Sequence, residues 1–69
     1  MEWISMFSSN IDAAAFDDND HSLYIRFKSG SVYQYPNTDK QIYHGLLNAG
    51  SKGSYHAAFI KNRTYIKIS

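Results

Sequence analysis

The stretch "LYIRFKSGSVYQY", Leu23–Tyr35, limits what this chain can fold into more than any other. Leu23, Ile25 and Phe27 alternate with Tyr24, Arg26 and Lys28, the period of two expected of a half-buried strand. Ser29-Gly30 marks a reversal, with Gly30 able to take positive φ. Ser31–Tyr35 is the return strand, and Pro36 ends it because proline has no N–H to give a ladder. The chain is therefore built around an antiparallel hairpin, and what it can bind depends on where the hairpin's tyrosines point.

That direction turns on the length of the bend. With a two-residue loop, Phe27 faces Val32, Arg26 faces Tyr33 and Tyr24 faces Tyr35. Directly opposed residues share a face. One face then carries Leu23, Ile25, Phe27 and Val32, with Ile66 and Ile68 as additions. The other carries Tyr24, Arg26, Lys28, Tyr33 and Tyr35, with Tyr65 and Lys67 beside them. Helices would cover the aliphatic face and leave the tyrosine-basic face in water. One more residue in the loop reverses this, sending Tyr33 and Tyr35 into the core and Val32 and Gln34 outward. The first register points Gln34 at the helices. The second exposes Val32 and requires two phenol hydroxyls to find partners under the helices. We adopt the two-residue loop as the expectation.

The flanking segments complete an α+β pattern. Ile11–Phe16 ("IDAAAF") reads as a short strand despite three alanines of low strand propensity, and "DDND" (Asp17–Asp20) as a loop. Thr38 with Gln41 forms a capping-box pattern, and Ile42, Tyr43, Leu46 and Leu47 follow at helical spacing. Gly45 weakens this helix and Gly50 stops it. Ser54 is placed to cap a second helix through about Asn62, burying Tyr55, Ala58 and Phe59. Thr64–Ser69 reads as a last strand. The order β-β-β-α-α-β gives a small antiparallel sheet with two helices packed on one face.

Sixty-nine residues allow one domain, residues 1–69, with a small core and modest stability. The absence of cysteine removes disulfides and thiolate metal sites and suits a reducing compartment. "MEWISMFSS" has neither the basic nor the long apolar region of a signal peptide, and no apolar run approaches the roughly 20 residues of a membrane span. The expectation is a cytoplasmic protein with no membrane contact. Charge is split along the chain. Glu2, Asp12, Asp17, Asp18 and Asp20 give the first twenty residues −5, whereas the seven lysines and arginines all follow, against Asp39 alone. Such a split marks either a polyanion-facing side or ends that neutralise each other on folding.

Taken together, "SSNI" (Ser8–Ile11), "L-x-I-x-F-x-S-G" (Leu23–Gly30), the Tyr33 and Tyr35 pair, "IYHGLLNAGSKGSY" (Ile42–Tyr55) and "IKNR" (Ile60–Arg63) resemble the KTSC domain family in order and spacing. That family occurs at the C-terminus of some lysyl-tRNA synthetases and as stand-alone bacterial and phage proteins. The resemblance implies no established activity; it points toward RNA by context rather than by mechanism.

Two binding classes fit these residues. Exposed tyrosines stack on unpaired bases while Arg and Lys meet phosphates, so Tyr24, Arg26, Lys28, Tyr33 and Tyr35 are the expected platform for RNA or another single-stranded nucleic acid. The bland alternative is ordinary strand tyrosines with solvating charges. "GSKGS" offers a candidate anion site, with Lys52, Gly53 and Ser54 before a helix, but it lacks P-loop spacing and reads first as a capped helix-helix turn. Tyr and Arg also serve protein interfaces, so an adaptor or inhibitor is the rival, with Trp3, Met6 and Phe7 as an apolar anchor or as core-closing residues. His21, His44 and His56 lack ligand spacing, and Asp18-x-Asp20-x-Ser22 lacks the Gly and Glu of a calcium loop, so no metal or cofactor is expected. Nothing in the sequence places Ser8 or Ser9 beside a histidine, and the expectation is a non-enzymatic module.

Overall fold

The alternating segments form a five-stranded antiparallel meander in the computed structural model, which describes residues 1–69. Its strands are β1 (Ile4–Ser5), β2 (Ile11–Asp17), β3 (Ser22–Phe27), β4 (Val32–Tyr35) and β5 (Ile66–Lys67), adjacent in space in chain order. Between β4 and β5 come α1 (Lys40–Asn48) and the short α2 (Lys52–Tyr55). The chain continues from α2 without a break as a π-helical turn, His56–Ile60, where Lys61 N donates to His56 O at 2.8 Å. This is the α+β architecture expected, with one further edge strand, β1, that the sequence pattern did not reveal. No helix is long and apolar enough to cross a membrane.

The hairpin bend overturns the expected register. Phe27 N donates to Ser31 O at 2.8 Å, and Gly30 N donates to Phe27 O at 2.9 Å. The loop is thus three residues, Lys28-Ser29-Gly30, with Gly30 at φ 98°. A left-handed glycine in third position is the usual way such a loop restores the ladder. Ile25 then opposes Tyr33 and Leu23 opposes Tyr35, while Tyr24 opposes Gln34 and Arg26 opposes Val32. Tyr33 and Tyr35 therefore lie on the helix side with Leu23, Ile25 and Phe27. Val32 and Gln34 lie on the open side with Tyr24 and Arg26. Ile66 opposes Gln34 and joins that open side, 51% exposed, so it does not extend the aliphatic core as expected.

The alanines of β2 have a packing reason. Ala13, Ala14 and Ala15 are all fully buried, and α1 packs over this strand. Ala14 sits on the helix side opposite Ile25, where a small side chain lets α1 approach. Ala13 and Ala15 lie on the open side opposite Arg26 and Tyr24, which shade them. A bulge between Ile11 and Ala13 leaves Asp12 unpaired in the ladder and turns its carboxylate onto Arg26, 2.8 Å away. The core is a cluster of Ile11, Ala14, Phe16, Leu23, Ile25, Tyr35, Tyr43, Leu46 and Ile60. Each large aliphatic member contributes about 1.5–3 kcal/mol of transfer free energy.

Both helix caps differ from expectation by one short step. Asp39, not Thr38, caps α1 by accepting from Gln41 N at 2.9 Å; Thr38 is buried and donates to Tyr35 O at 2.7 Å. Ser51, not Ser54, caps α2 by accepting from Ser54 N. The apolar stripe of α1 holds, with Tyr43 and Leu46 buried and Ile42 and Leu47 packed against the core. In the second helical segment the π turn rotates the pattern. Ile60 is the fully buried residue, whereas Phe59 is 55% exposed and Ala58 is exposed.

Gly45 marks the crossing of the two helices, because an added Cβ there would overlap the Tyr55 ring, with Cζ at 2.6 Å. In an isolated helix Gly→Ala is stabilising by about 1 kcal/mol. Here Gly45→Ala is expected to lower the melting temperature. Over a Tyr55→Ala background the same change should be neutral or stabilising, a double-mutant cycle read by thermal denaturation. An equal loss in both backgrounds would show that Tyr55 is not the obstacle.

Candidate functional site

The slipped register builds a cleft where the sequence suggested a flat face. On the helix side, between the hairpin bend, β4 and the π turn, lies an open cleft of about 740 Å³. Its aromatic lining comes from Phe27, Tyr33, Tyr35, His56 and Tyr65, and its polar rim from Ser9, Asn10, Ser29, Ser31 and Asn62. The charged side chains that line it are Lys28 and Lys61; no carboxylate does.

The rings are locked against one another. Tyr33 and Tyr65 stack with centroids 5.0 Å apart at 17°. Phe27 meets Tyr33 edge-on at 5.5 Å and His56 edge-on at 5.4 Å. Such pairs add about 0.5–1.5 kcal/mol each beyond their buried area, which holds the wall in one shape. Tyr65 remains 51% exposed. At the floor, Tyr35 is 2% exposed and its hydroxyl lies 3.2 Å from His56 Nε2. Burial, then the neighbouring Tyr33 and Tyr65, pushes the Tyr35 phenol up to about 12. Burial, then Lys61, pushes His56 down, so that the imidazole is neutral at pH 7.

The expected platform is divided between the two sides of the sheet. Lys28, Tyr33 and Tyr35 line the cleft. Tyr24 and Arg26 lie on the opposite side, and both are engaged. The Tyr24 hydroxyl donates to Asp20 at 3.4 Å. Burial and then the charges of Asp20 and Asp17 raise its pKa. Arg26 is paired with Asp12 and stacks over Trp3 at 4.8 Å. Tyr65 does join Tyr33 and Tyr35, as the pattern proposed, but on the helix side.

The "GSKGS" anion site is used internally. Lys52 Nζ donates to Leu47 O at 2.8 Å and Ala49 O at 2.7 Å, closing the C-terminus of α1. The Ser54 amide is taken by Ser51, and only Gly53 reaches the cleft. No group of three or more His, Asp or Glu side chains gathers into a metal-holding arrangement. His56 and Lys61 were missed by sequence reasoning. Five residues apart on a regular helix, they would diverge by about 140°; the wider π turn brings both to the cleft.

Alkaline titration tests the floor. The raised pKa of Tyr35 means that its protonated form is favoured by folding. Stability from this group is complete below pH 10 and is lost as pH rises through about 12. Ultraviolet titration should show Tyr35 ionising last among the tyrosines, together with a fall in melting temperature, and Tyr35→Phe should delete that final phase. His56 works in the opposite sense. Its depressed pKa favours the neutral form in the fold, so stability is lost as pH drops from its ordinary value of 6.5 through its lower folded value.

The KTSC domain family model matches residues 7–65. A protein of Tsukamurella paurometabola is 34% identical over 56 residues, covering 81% of this chain and 84% of its own length. The crystal structure of a KTSC domain protein from Yersinia pestis superposes with a TM-score of 0.92 at 26% identity, covering 99% of this chain and 97% of that one. Family match and shared fold agree: the chain belongs to the KTSC domain family.

Proposed function

We propose that this domain is a small non-catalytic module that binds RNA or another single-stranded nucleic acid weakly, through the helix-side cleft rather than the open sheet face. The observation that carries this reading is the lining itself: stacked aromatic rings, Tyr65 among them half exposed, flanked by Lys28 and Lys61 and by no acid. A base stacked on Tyr65 gains about 1–3 kcal/mol, and the two lysines are placed for the adjoining phosphates. A cysteine-free chain is compatible with action in the reducing cytoplasm. A protein partner is the second reading. It is favoured by Phe7, which is 100% exposed beside a groove lined by Ile4, Met6 and Leu47.

Fluorescence anisotropy with a mixed-sequence single-stranded RNA separates the two. Binding is expected in the micromolar range at low salt. Two phosphate contacts correspond to a log–log salt slope of about −1.4. Lys61→Gln should reduce that slope by about 0.7. Tyr65→Ala should weaken binding by about 1–3 kcal/mol, with only the modest fall in melting temperature expected from losing its stack on Tyr33, about 0.5–1.5 kcal/mol. No binding at tens of micromolar in low salt would remove the nucleic-acid reading. Loss on Tyr24→Ala equal to that on Tyr65→Ala would move the site to the open face. A partner captured by pull-down after nuclease treatment and lost on Phe7→Ser would favour the second reading.

A further inference from the structure

The floor of the cleft has a polarity that its stacking walls lack. Tyr35 Oη and His56 Nε2 share one hydrogen bond at 3.2 Å, and neither atom makes another within the protein. Either group has a proton to place in it. A phenol is a much stronger acid than a neutral imidazole N–H, and an imidazole nitrogen is a much stronger base than a phenol oxygen. The bond therefore runs from Tyr35 to His56, which leaves the imidazole proton on Nδ1. The hydroxyl proton is spent on His56, so what Tyr35, one of the residues lining the cleft, still has to offer a ligand is lone-pair density.

We propose that the Tyr35–His56 pair makes the cleft floor a hydrogen-bond acceptor at neutral pH, so that the site prefers a base with an exocyclic amino group, such as cytosine, over uracil. This rests on the cleft being the nucleic-acid site. Cytosine and uracil have the same ring size and stack alike, but where cytosine carries an amino donor uracil carries a carbonyl. A carbonyl against the Tyr35 oxygen would leave two acceptors facing each other without a proton. Specificity would thus come from the floor, and affinity from Tyr65 and the lysines.

The arrangement also reverses on protonation. An imidazolium donates from both ring nitrogens, so His56 Nε2–H would then point at Tyr35 Oη and the phenol proton would swing into the cleft. The groups facing His56 are Tyr35 on β4, Phe27 on β3 and Lys61 at the end of its own turn, with Lys28, Tyr33 and Tyr65 elsewhere on the lining. None is a carboxylate, so none holds the imidazolium at neutral pH.

The test compares oligocytidylate and oligouridylate of equal length, titrated calorimetrically at pH 8 and pH 5. The proteins are the unmodified chain, Tyr35→Phe and His56→Leu. At pH 8 the unmodified chain should prefer cytidylate by about three- to tenfold, the range of one hydrogen bond. Tyr35→Phe, which keeps the ring and the packing, should erase the preference. His56→Leu frees the phenol proton and should abolish or invert it, as should pH 5. Nitrogen NMR of the free protein should show His56 protonated at Nδ1 at pH 8. Protonation at Nε2, or a preference unchanged in Tyr35→Phe, would overturn the proposal. If both oligomers bind equally, only the base preference falls; if neither binds at either pH, the cleft reading falls with it.

Discussion

Everything on the helix side of this protein depends on the length of one bend. Three residues between Phe27 and Ser31, with Gly30 in the left-handed region, set the parity of β4 against β3. Side chains alternate strictly along a strand, so this single count sends Tyr33 and Tyr35 under the helices and Val32 and Gln34 away from them. The polar residue displaced outward is not stranded: Gln34 Nε2 donates to Ser22 Oγ at 3.0 Å. The tyrosine moved inward is satisfied too, through His56. Of the difficulties that made the two-residue loop attractive on paper, the buried phenol is met for Tyr35 by His56, while Val32 is left half-buried on the open side.

A cleft follows because the helical layer does not reach the whole inner face. α1 packs over β2, near one edge of the sheet, and α2 docks against α1 where Gly45 admits the Tyr55 ring. Tyr35 is covered, but Tyr33 lies further along β4, opposite the two-residue edge strand β5, and is only half-buried. The inner face there is aromatic, cannot be fully shielded, and is finished by Tyr65 stacking from the chain that enters β5. A small domain that cannot close its core over a row of rings is left with an aromatic cleft open to solvent.

The legible part of the sequence was whatever local periodicity controls. The strands at Ile11–Phe16 and Leu23–Tyr35, the stripe Ile42, Tyr43, Leu46, Leu47 and the α+β order all follow from alternation, spacing and turn residues. The register did not, because Lys28 fits both the last strand position and the first turn position. β1 and β5 contain two residues each, too few to show a period. The π turn was invisible because its wider pitch breaks the 3.6-residue rule used to find helices, and with it went His56 and Lys61, half of the cleft's chemistry. Lys52 misled for a related reason. A lysine beside serines and glycines reads as an anion site, but carbonyls released at the end of α1 attract the same ammonium.

The charge split shows how a fold resolves an ambiguous pattern. Some of the acid-rich beginning does neutralise the basic remainder: Asp12 pairs with Arg26 and Asp18 with Lys40, both at 2.8 Å. These pairs are partly exposed and contribute little stability. Their effect is spatial. Asp12 and Arg26 cancel on the open sheet face, where Tyr24 is already bound to Asp20, and so remove the cationic character on which a platform there would depend. Lys28 and Lys61 have no acid among the residues that line the cleft with them. The charged residues lining the cleft with the exposed Tyr65 are therefore positive alone, although the net charge of the chain is only +1. Two cations can steer a phosphate chain without holding it firmly, so under the proposed reading discrimination between ligands would fall to the hydrogen-bonding floor beneath the rings.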